Sequence, residues 1–291
     1  SSWVPFEARN KWAGTKNAMK LVTYESARQP RQGIVEDHLI VDLRAILAVL
    51  GARRIPRLLA SRAEFKVASR LVLTAGFGPR SMVELLERDA EWIRAVGIVA
   101  RALAKALDPK SAPKGLFSNL QGARLRSPIL RPGKIICVGR NYAEHARERG
   151  SEIPTQPIFF LNSNNTICGP GDAIVIPPTS QQVDYEAEFA VVIGRGGKNI
   201  SEEKAYEHVA GYMMMNDVSA RDMQSADKQW FRGKSCDTFA PIGPWIVTKD
   251  EIPDPHSLRI SLTLNGQTMQ DSNTGNMIFK IPYLISYLSR S

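Results

Sequence analysis

The stretch Val183-Asp184-Tyr185-Glu186-Ala187-Glu188-Phe189-Ala190-Val191-Val192-Ile193-Gly194 constrains this chain most. Its β-branched and aromatic residues predict a strand that Gly194 closes. Side chains alternate faces along a strand. One face therefore carries Tyr185, Ala187, Phe189, Val191 and Ile193, while the other opens with Glu186 and Glu188 and continues as Ala190 and Val192. Both faces head into a core, with two carboxylates at its mouth roughly 6 to 7 Å apart. At an effective dielectric of about 20 their repulsion is on the order of 2 to 3 kcal/mol before desolvation is added. A cation is expected between them, unless this end of the strand lies at a rim and both side chains face water.

A third acid follows a similar strand. Residues 211–216 lead into Asp217 and the helix-like run 218–224. Asp217 reads either as a helix N-cap or as a partner of Glu186 and Glu188. Three carboxylates at strand ends, with no Cys or His among them, make an oxygen-ligand site for a hard cation. The expected ion is Mg2+ or Mn2+, with Ca2+ the third choice.

At 291 residues and 43% apolar composition, the chain can build one large core or two modest ones and is expected to be a soluble globular protein. There is no apolar run of about 18 residues, so no membrane span is expected. Residues 1–18 lack an apolar signal-like core and are expected to be a disordered extension: a transit-peptide remnant or upstream sequence ahead of Met19. Cys137, Cys168 and Cys236 form an odd set without C-x-x-C spacing. That argues against a disulfide framework or a zinc site and suits a reducing compartment, expected here to be the cytoplasm. The net charge of +9 sits in residues 1–130, where 22 basic residues face 11 acidic ones, against 16 and 18 in the remainder. The surplus lies away from the candidate site and forms no stripe with interleaved aromatics, so nucleic acid is not the expected partner.

An N-terminal α+β domain is expected over 19–126. It begins with a strand at 20–24 and a hairpin of 33–35 with 38–41 turning at Glu36-Asp37. A helix from Leu43 to Leu50 stops at Gly51, and the capping-box sequence Ser81-Met82-Val83-Glu84 opens a helix-rich segment through Leu107. Leu85, Leu86, Trp92, Ile93, Val96, Val99 and Leu103 are its expected core face. The boundary falls in the Gly-, Pro-, Ser- and Arg-rich stretch 111–133, and a second, β-rich domain is expected over 130–291. That domain starts with a strand at 134–138 and a short helix at 142–149. There His145 and Glu148 stand at i and i+3, either as an imidazole oriented by a carboxylate or as a surface ion pair. Further strands are expected at 157–161 and 173–176, a hairpin at 258–270 turning at Asn265-Gly266, and a helix at 281–288. Lys234, in a Gly-bearing loop, reads by itself as a solvated lysine.

Four segments then carry a resemblance: Gly139-Arg140-Asn141-Tyr142-Ala143-Glu144-His145, Val183 to Glu188, Asn216-Asp217-Val218-Ser219-Ala220-Arg221-Asp222-Met223-Gln224, and Gly233-Lys234-Ser235-Cys236-Asp237-Thr238-Phe239-Ala240-Pro241. In this order they resemble the fumarylacetoacetate hydrolase family, in particular its bacterial-type branch of 2-oxo acid hydrolases, decarboxylases and isomerases, from Met19 to the end. The resemblance implies a β-rich roll with flanking helices behind a small N-terminal α+β domain, and a homodimer. It implies Glu186, Glu188 and Asp217 as metal ligands, and His145 with Glu148 as the pair that activates water. Lys234 and Thr238 fall near the metal and the developing charge, and Arg140, Tyr142 and Gln224 where substrate contacts occur. The implied activity is metal-dependent chemistry on a small 2-oxo or β-dicarbonyl acid, hydrolytic carbon–carbon cleavage first, decarboxylation or isomerisation as alternatives. Three departures stand out. Asn162-Ser163 replaces a usual Lys-Pro pair, Cys236 replaces a usual Phe, and the sequence stops before the family's Gly-Thr-Pro stretch. The last raises a reading of another class, a catalytically silent binding or dimerisation module with a sheet edge or apolar face uncovered.

Overall fold

In the computed structural model, residues 18–52, 55–74, 78–143 and 152–291 are described. They fall into two compact units, one of residues 18–130 with 244–251 and one of residues 131–243 with 252–291.

The first unit is built on β1 (Lys20–Ser26) and β2 (Gln29–Glu36), antiparallel in unbroken register from Lys20↔Val35 to Ser26↔Gln29. Ala27 and Arg28 both take positive φ, 50° and 61°, which matches the right-handed twist of the strands they join. β2 starts four residues earlier than its apolar pattern suggests, because the polar run Gln29–Gln32 pairs through its backbone despite Pro30. β3 (Leu39–Asp42) follows a turn at Asp37-His38 rather than Glu36-Asp37. Glu36 still pairs with Leu39, and Asp37 takes the left-handed φ of 53°.

Asp42 then caps α1 (Leu43–Gly51), its Oδ1 accepting from the Ala45 N–H at 2.8 Å, while its carboxylate also takes the Tyr24 hydroxyl and the Arg31 guanidinium. The helices α2 (Arg57–Ala60), α3 (Ala63–Thr74), α4 (Met82–Leu86) and α5 (Ala90–Ala106) come next. Ser81 caps α4 as expected, and Asp89 restarts the run as α5. Leu85, Leu86, Trp92, Val96, Val99 and Leu103 are buried, and Ile93 only partly so. β4 (Phe117–Asn119) pairs with β3, and β5 (Leu125–Arg126) with β1.

In the second unit β6 (Ile135–Gly139) and β7 (Ile158–Asn162) form a two-stranded antiparallel ribbon. β8 (Ile167–Cys168), β9 (Val183–Asp184), β10 (Ala187–Ile193), β11 (Val209–Asn216) and β12 (Ser219–Ala220) follow. Residues 173–176 form no strand; Val175 and Ile176 are exposed, and the Val175 N–H donates to the Thr238 hydroxyl instead of to a ladder. Two short helices, α6 (Arg221–Asp227) and α7 (Phe231–Lys234), precede β13 (Ala240–Thr248), whose later half belongs to the first unit and pairs with β1. β14 (Arg259–Leu264) and β15 (Gln267–Asn273) make the expected hairpin at Asn265-Gly266, and α8 (Ile281–Leu288) closes the chain. The fold is thus α+β and rich in antiparallel strands. Among the described residues no helix is long and apolar enough to cross a membrane, and the three cysteines are free.

Candidate metal centre

The site begins where a strand is interrupted. The ladder expected over residues 183–194 is split into β9 and β10, because Tyr185 and Glu186 leave it. The Glu186 N–H donates to the side-chain Oδ1 of Asn216 at 3.0 Å, and the Asp217 N–H donates to the Glu186 carbonyl at 2.8 Å. With Ala187 paired to Asn216, these bonds set Glu186 beside Asp217. Asp217 is 2% exposed and is no helix cap, since β12 intervenes and α6 starts after Ala220.

Lys234 is the cation between them. It is 2% exposed, not solvated, and its ammonium donates to Glu186 Oε2 at 2.5 Å, Asp217 Oδ2 at 2.6 Å and the Asp217 carbonyl at 3.2 Å. These three contacts use all its donors. Its approach depends on Gly233: a Cβ there would come within 2.9 Å of the Ala220 carbonyl and the Gln224 nitrogen, so α7 packs this closely only without a side chain. The other oxygens are held as well. Arg221 Nη2 donates to Glu186 Oε1 at 2.6 Å and to Asp184 Oδ2 at 2.7 Å, and Asn162 Nδ2 donates to Asp217 Oδ1 at 2.9 Å. The Phe160 ring covers the ammonium at 5.4 Å.

Charge is unevenly settled here. Burial pulls the Glu186 carboxyl up, but Lys234 and Arg221 overturn that and hold it below the usual range. Asp217 stays raised, because burial and the Glu186 charge outweigh Lys234. The Glu188 carboxyl, half-buried and without a side-chain hydrogen bond among the described residues, is pushed well above the usual range by burial and by the charges of Glu186 and Asp217. Burial would lower the Lys234 ammonium, yet Asp217 and Glu186 hold it above its ordinary value. Among the described residues, the carboxylates of Asp184, Glu186, Glu188 and Asp217 are set against the cations of Lys234 and Arg221. With every acid ionised those six side chains would carry two more negative charges than positive, and the raised Glu188 and Asp217 carboxyls reflect burial together with that excess.

That excess and the all-oxygen donor set fit a hard divalent cation. Glu186, Glu188 and Asp217 are the residues that would hold it. As the side chains stand, no group of three His, Cys, Asp or Glu among the described residues is arranged to hold a metal ion. The ammonium of Lys234 takes the position between Glu186 and Asp217.

The remaining expected residues are placed as follows. Arg140, at φ 56°, lays its guanidinium over the Trp230 ring at 5.8 Å, and the indole in turn packs where Gly139 leaves no room for a Cβ. The Tyr142 hydroxyl is buried and has no hydrogen-bond partner among the described residues; burial and then the Glu188 charge raise it. Gln224 Oε1 accepts from Arg221 at 3.1 Å. The Thr238 hydroxyl is engaged with Val175 and Asp237. His145 and Glu148 lie outside the described residues. Asp184, Asn162 and Arg221 were not assigned roles from the sequence. Asp184 and Arg221 lie inside resembling segments, but their pairing spans 37 residues and has no local signature.

Comparison with known proteins concerns the chain as a whole. The model for "Fumarylacetoacetate (FAA) hydrolase C-terminal" matches residues 134–291. Over 214 residues the chain is 45% identical to "Oxaloacetate tautomerase FAHD2A, mitochondrial" of Bos taurus, covering 73% of this chain and 65% of the relative, so it spans just under two thirds of that protein. Among solved structures, it resembles a fumarylacetoacetate hydrolase from Exiguobacterium antarcticum with a TM-score of 0.67 and 30% identity, over 94% of this chain and 82% of that one. It also resembles maleylpyruvate hydrolase from Sphingobium sp. SYK-6, described in complex with manganese(II) ion and pyruvate, with a TM-score of 0.66 and 26% identity over 93% and 83% of the two chains. With the family's model matching more than half of the sequence, the chain belongs to the fumarylacetoacetate hydrolase family.

Proposed function

We propose that this chain is a divalent-metal-dependent enzyme that moves a proton on the carbon beside the ketone of a small 2-oxo acid, with oxaloacetate the first substrate to try. The observation that carries the metal site is the convergence of Glu186, Glu188 and Asp217, an all-oxygen set in which the Glu186 and Asp217 charges, after burial, push the Glu188 carboxyl upward. The choice of tautomerisation over the hydrolysis expected from the motifs rests on the name of the bovine relative.

A divalent ion bound there would supply Lewis-acid polarisation of the substrate's keto and carboxylate oxygens. The Lys234 ammonium, fixed in a water-poor setting, stabilises negative charge developing on the substrate. His145, oriented by Glu148, takes the proton and returns it. Arg140, Tyr142, Gln224 and Thr238 are assigned to substrate binding. Mn2+ and Mg2+ are the ions of choice, ahead of Ca2+. Manganese is favoured because the Sphingobium enzyme is described with that ion; its name, a hydrolase, also supports hydrolytic carbon–carbon cleavage as the second reading. A homodimer is the proposed assembly. The bovine relative's name carries "mitochondrial", so we place this chain in the mitochondrion rather than the cytoplasm.

The test is a comparison of enol-to-keto conversion of oxaloacetate with cleavage of acylpyruvates, by protein stripped with chelator and reloaded with Mn2+ or Mg2+. Metal-dependent conversion without cleavage supports the proposal. Cleavage alone favours the second reading, and no turnover of either kind with metal bound overturns both.

A further inference from the structure

The hydrogen bonds around Glu186 and Asp217 leave neither carboxylate an oxygen without a donor. Glu186 Oε1 is taken by Arg221 and Oε2 by Lys234, while Asp217 Oδ1 is taken by Asn162 and Oδ2 by Lys234. Arg221 and Asn162 each hold one of the two carboxylates; among the described residues Lys234 is the side chain bonded to both. A divalent ion ligated by Glu186 Oε2 and Asp217 Oδ2 at about 2.1 Å would fall within the ammonium's own radius on that side. Resting on the metal reading above, we propose that Lys234 is a built-in counter-cation, holding Glu186 and Asp217 together when no divalent ion is present and releasing at least one of them when an ion enters.

In the metal-free protein the geometry gives the ammonium this role first, and the release of a carboxylate on metal entry is what frees it to act on the substrate. The ammonium has no donor left for a substrate, since all three of its contacts go to Glu186 and Asp217. Its burial leaves water no place to take over those contacts. Phe160 on one side, and the close packing that Gly233 permits on the other, hold the side chain where the carboxylates converge. The lysine thereby limits repulsion between buried carboxylates in the metal-free protein and competes with the metal for the same oxygens. Metal affinity is then a difference between two cations, and weakening the internal one raises the apparent affinity for the external one.

The experiment uses the full chain and the variant Lys234→Met, which keeps length and apolar bulk but removes the charge. Melting in excess EDTA and calorimetric titration with MnCl2 are measured for both. The expected result is a lower melting temperature for the metal-free variant and a Mn2+ affinity at least tenfold tighter than that of the unaltered chain. The rise in melting temperature on adding Mn2+ should also be larger in the variant. Equal or weaker Mn2+ affinity in Lys234→Met, or an unchanged melting temperature in EDTA, overturns the inference while leaving the metal site standing. Failure of both proteins to take up Mn2+ overturns the site and the inference together. Should the variant not fold, a crystal of the unaltered chain soaked in Mn2+ decides. Ammonium contacts to both carboxylates kept at hydrogen-bond distance beside a bound ion overturn the inference, and loss of either contact supports it.

Discussion

Glu186 is the residue on which most of the site's charge converges, since one carboxylate receives both Lys234 and Arg221. Replacing it with alanine removes acceptors from two cations at once. Breaking a buried ion pair by deleting one partner typically costs about 3 to 5 kcal/mol. Glu186→Ala is therefore expected to lose stability on that scale in urea denaturation, and to retain no metal after desalting when assayed by elemental analysis. A variant that keeps stoichiometric metal would contradict the assigned ligand set. At this scale the sequence was partly legible. The two-residue spacing of Glu186 and Glu188 announced a need for positive charge, and the buried ammonium between Glu186 and Asp217 meets part of it. Which cation would answer was not legible from spacing, because Lys234 lies 48 residues from Glu186 and reads locally as a solvated lysine; the family resemblance alone put it near the metal.

At the scale of elements, α7 delivers Lys234 only because Gly233 lets it press against the start of α6. In Gly233→Ala the new methyl meets backbone rather than a yielding side chain, so α7 must retreat. A loss of about 1 to 3 kcal/mol is expected from overpacking, with turnover falling at least tenfold because the ammonium is displaced; thermal melts and steady-state rates on the same preparation check both.

In the other unit, Glu36 on β2 and Arg101 on α5 form an ion pair at 3.3 Å. Burial raises the Glu36 carboxyl more than Arg101 lowers it. An acid whose folded value is raised binds its proton more tightly folded than unfolded, so its contribution is present at low pH and is lost as pH rises from the ordinary carboxylate range through the raised value. The melting temperature of Glu36→Gln relative to the unaltered chain should therefore climb across that window. A flat or falling difference would speak against it.

The strands were legible as elements, from the hairpin at Asn265-Gly266 to β11. Their interruptions were not. Alternation runs without a break through Tyr185 and Glu186, and the side-chain oxygen of Asn216, the last residue of β11, shows why the ladder opens there.

For the whole molecule, ligation by a bound ion should appear as stability. A ligand at a hundredfold excess over its dissociation constant adds about 2.7 kcal/mol to a protein that binds it only when folded. Mn2+ is thus expected to raise the melting temperature of the unaltered chain and to leave Glu186→Ala unmoved, with calcium a weaker substitute. Equal shifts in both proteins would mean that the ion acts elsewhere. Family membership could be read from four short segments in order, and the matched region 134–291 agrees with where they lie. The reaction could not, because hydrolysis, decarboxylation and tautomerisation all begin by steadying the same kind of anion.

The opening between β9 and β10 leaves the Glu186 amide satisfied, since a side-chain oxygen of Asn216 accepts what a neighbouring strand would otherwise have taken. Working tip and rigid shank are therefore cut from one length of backbone: Phe189 and Val192 stay rooted in packed interior while, three residues upstream of Phe189, Glu186 turns sideways toward its fellow acid.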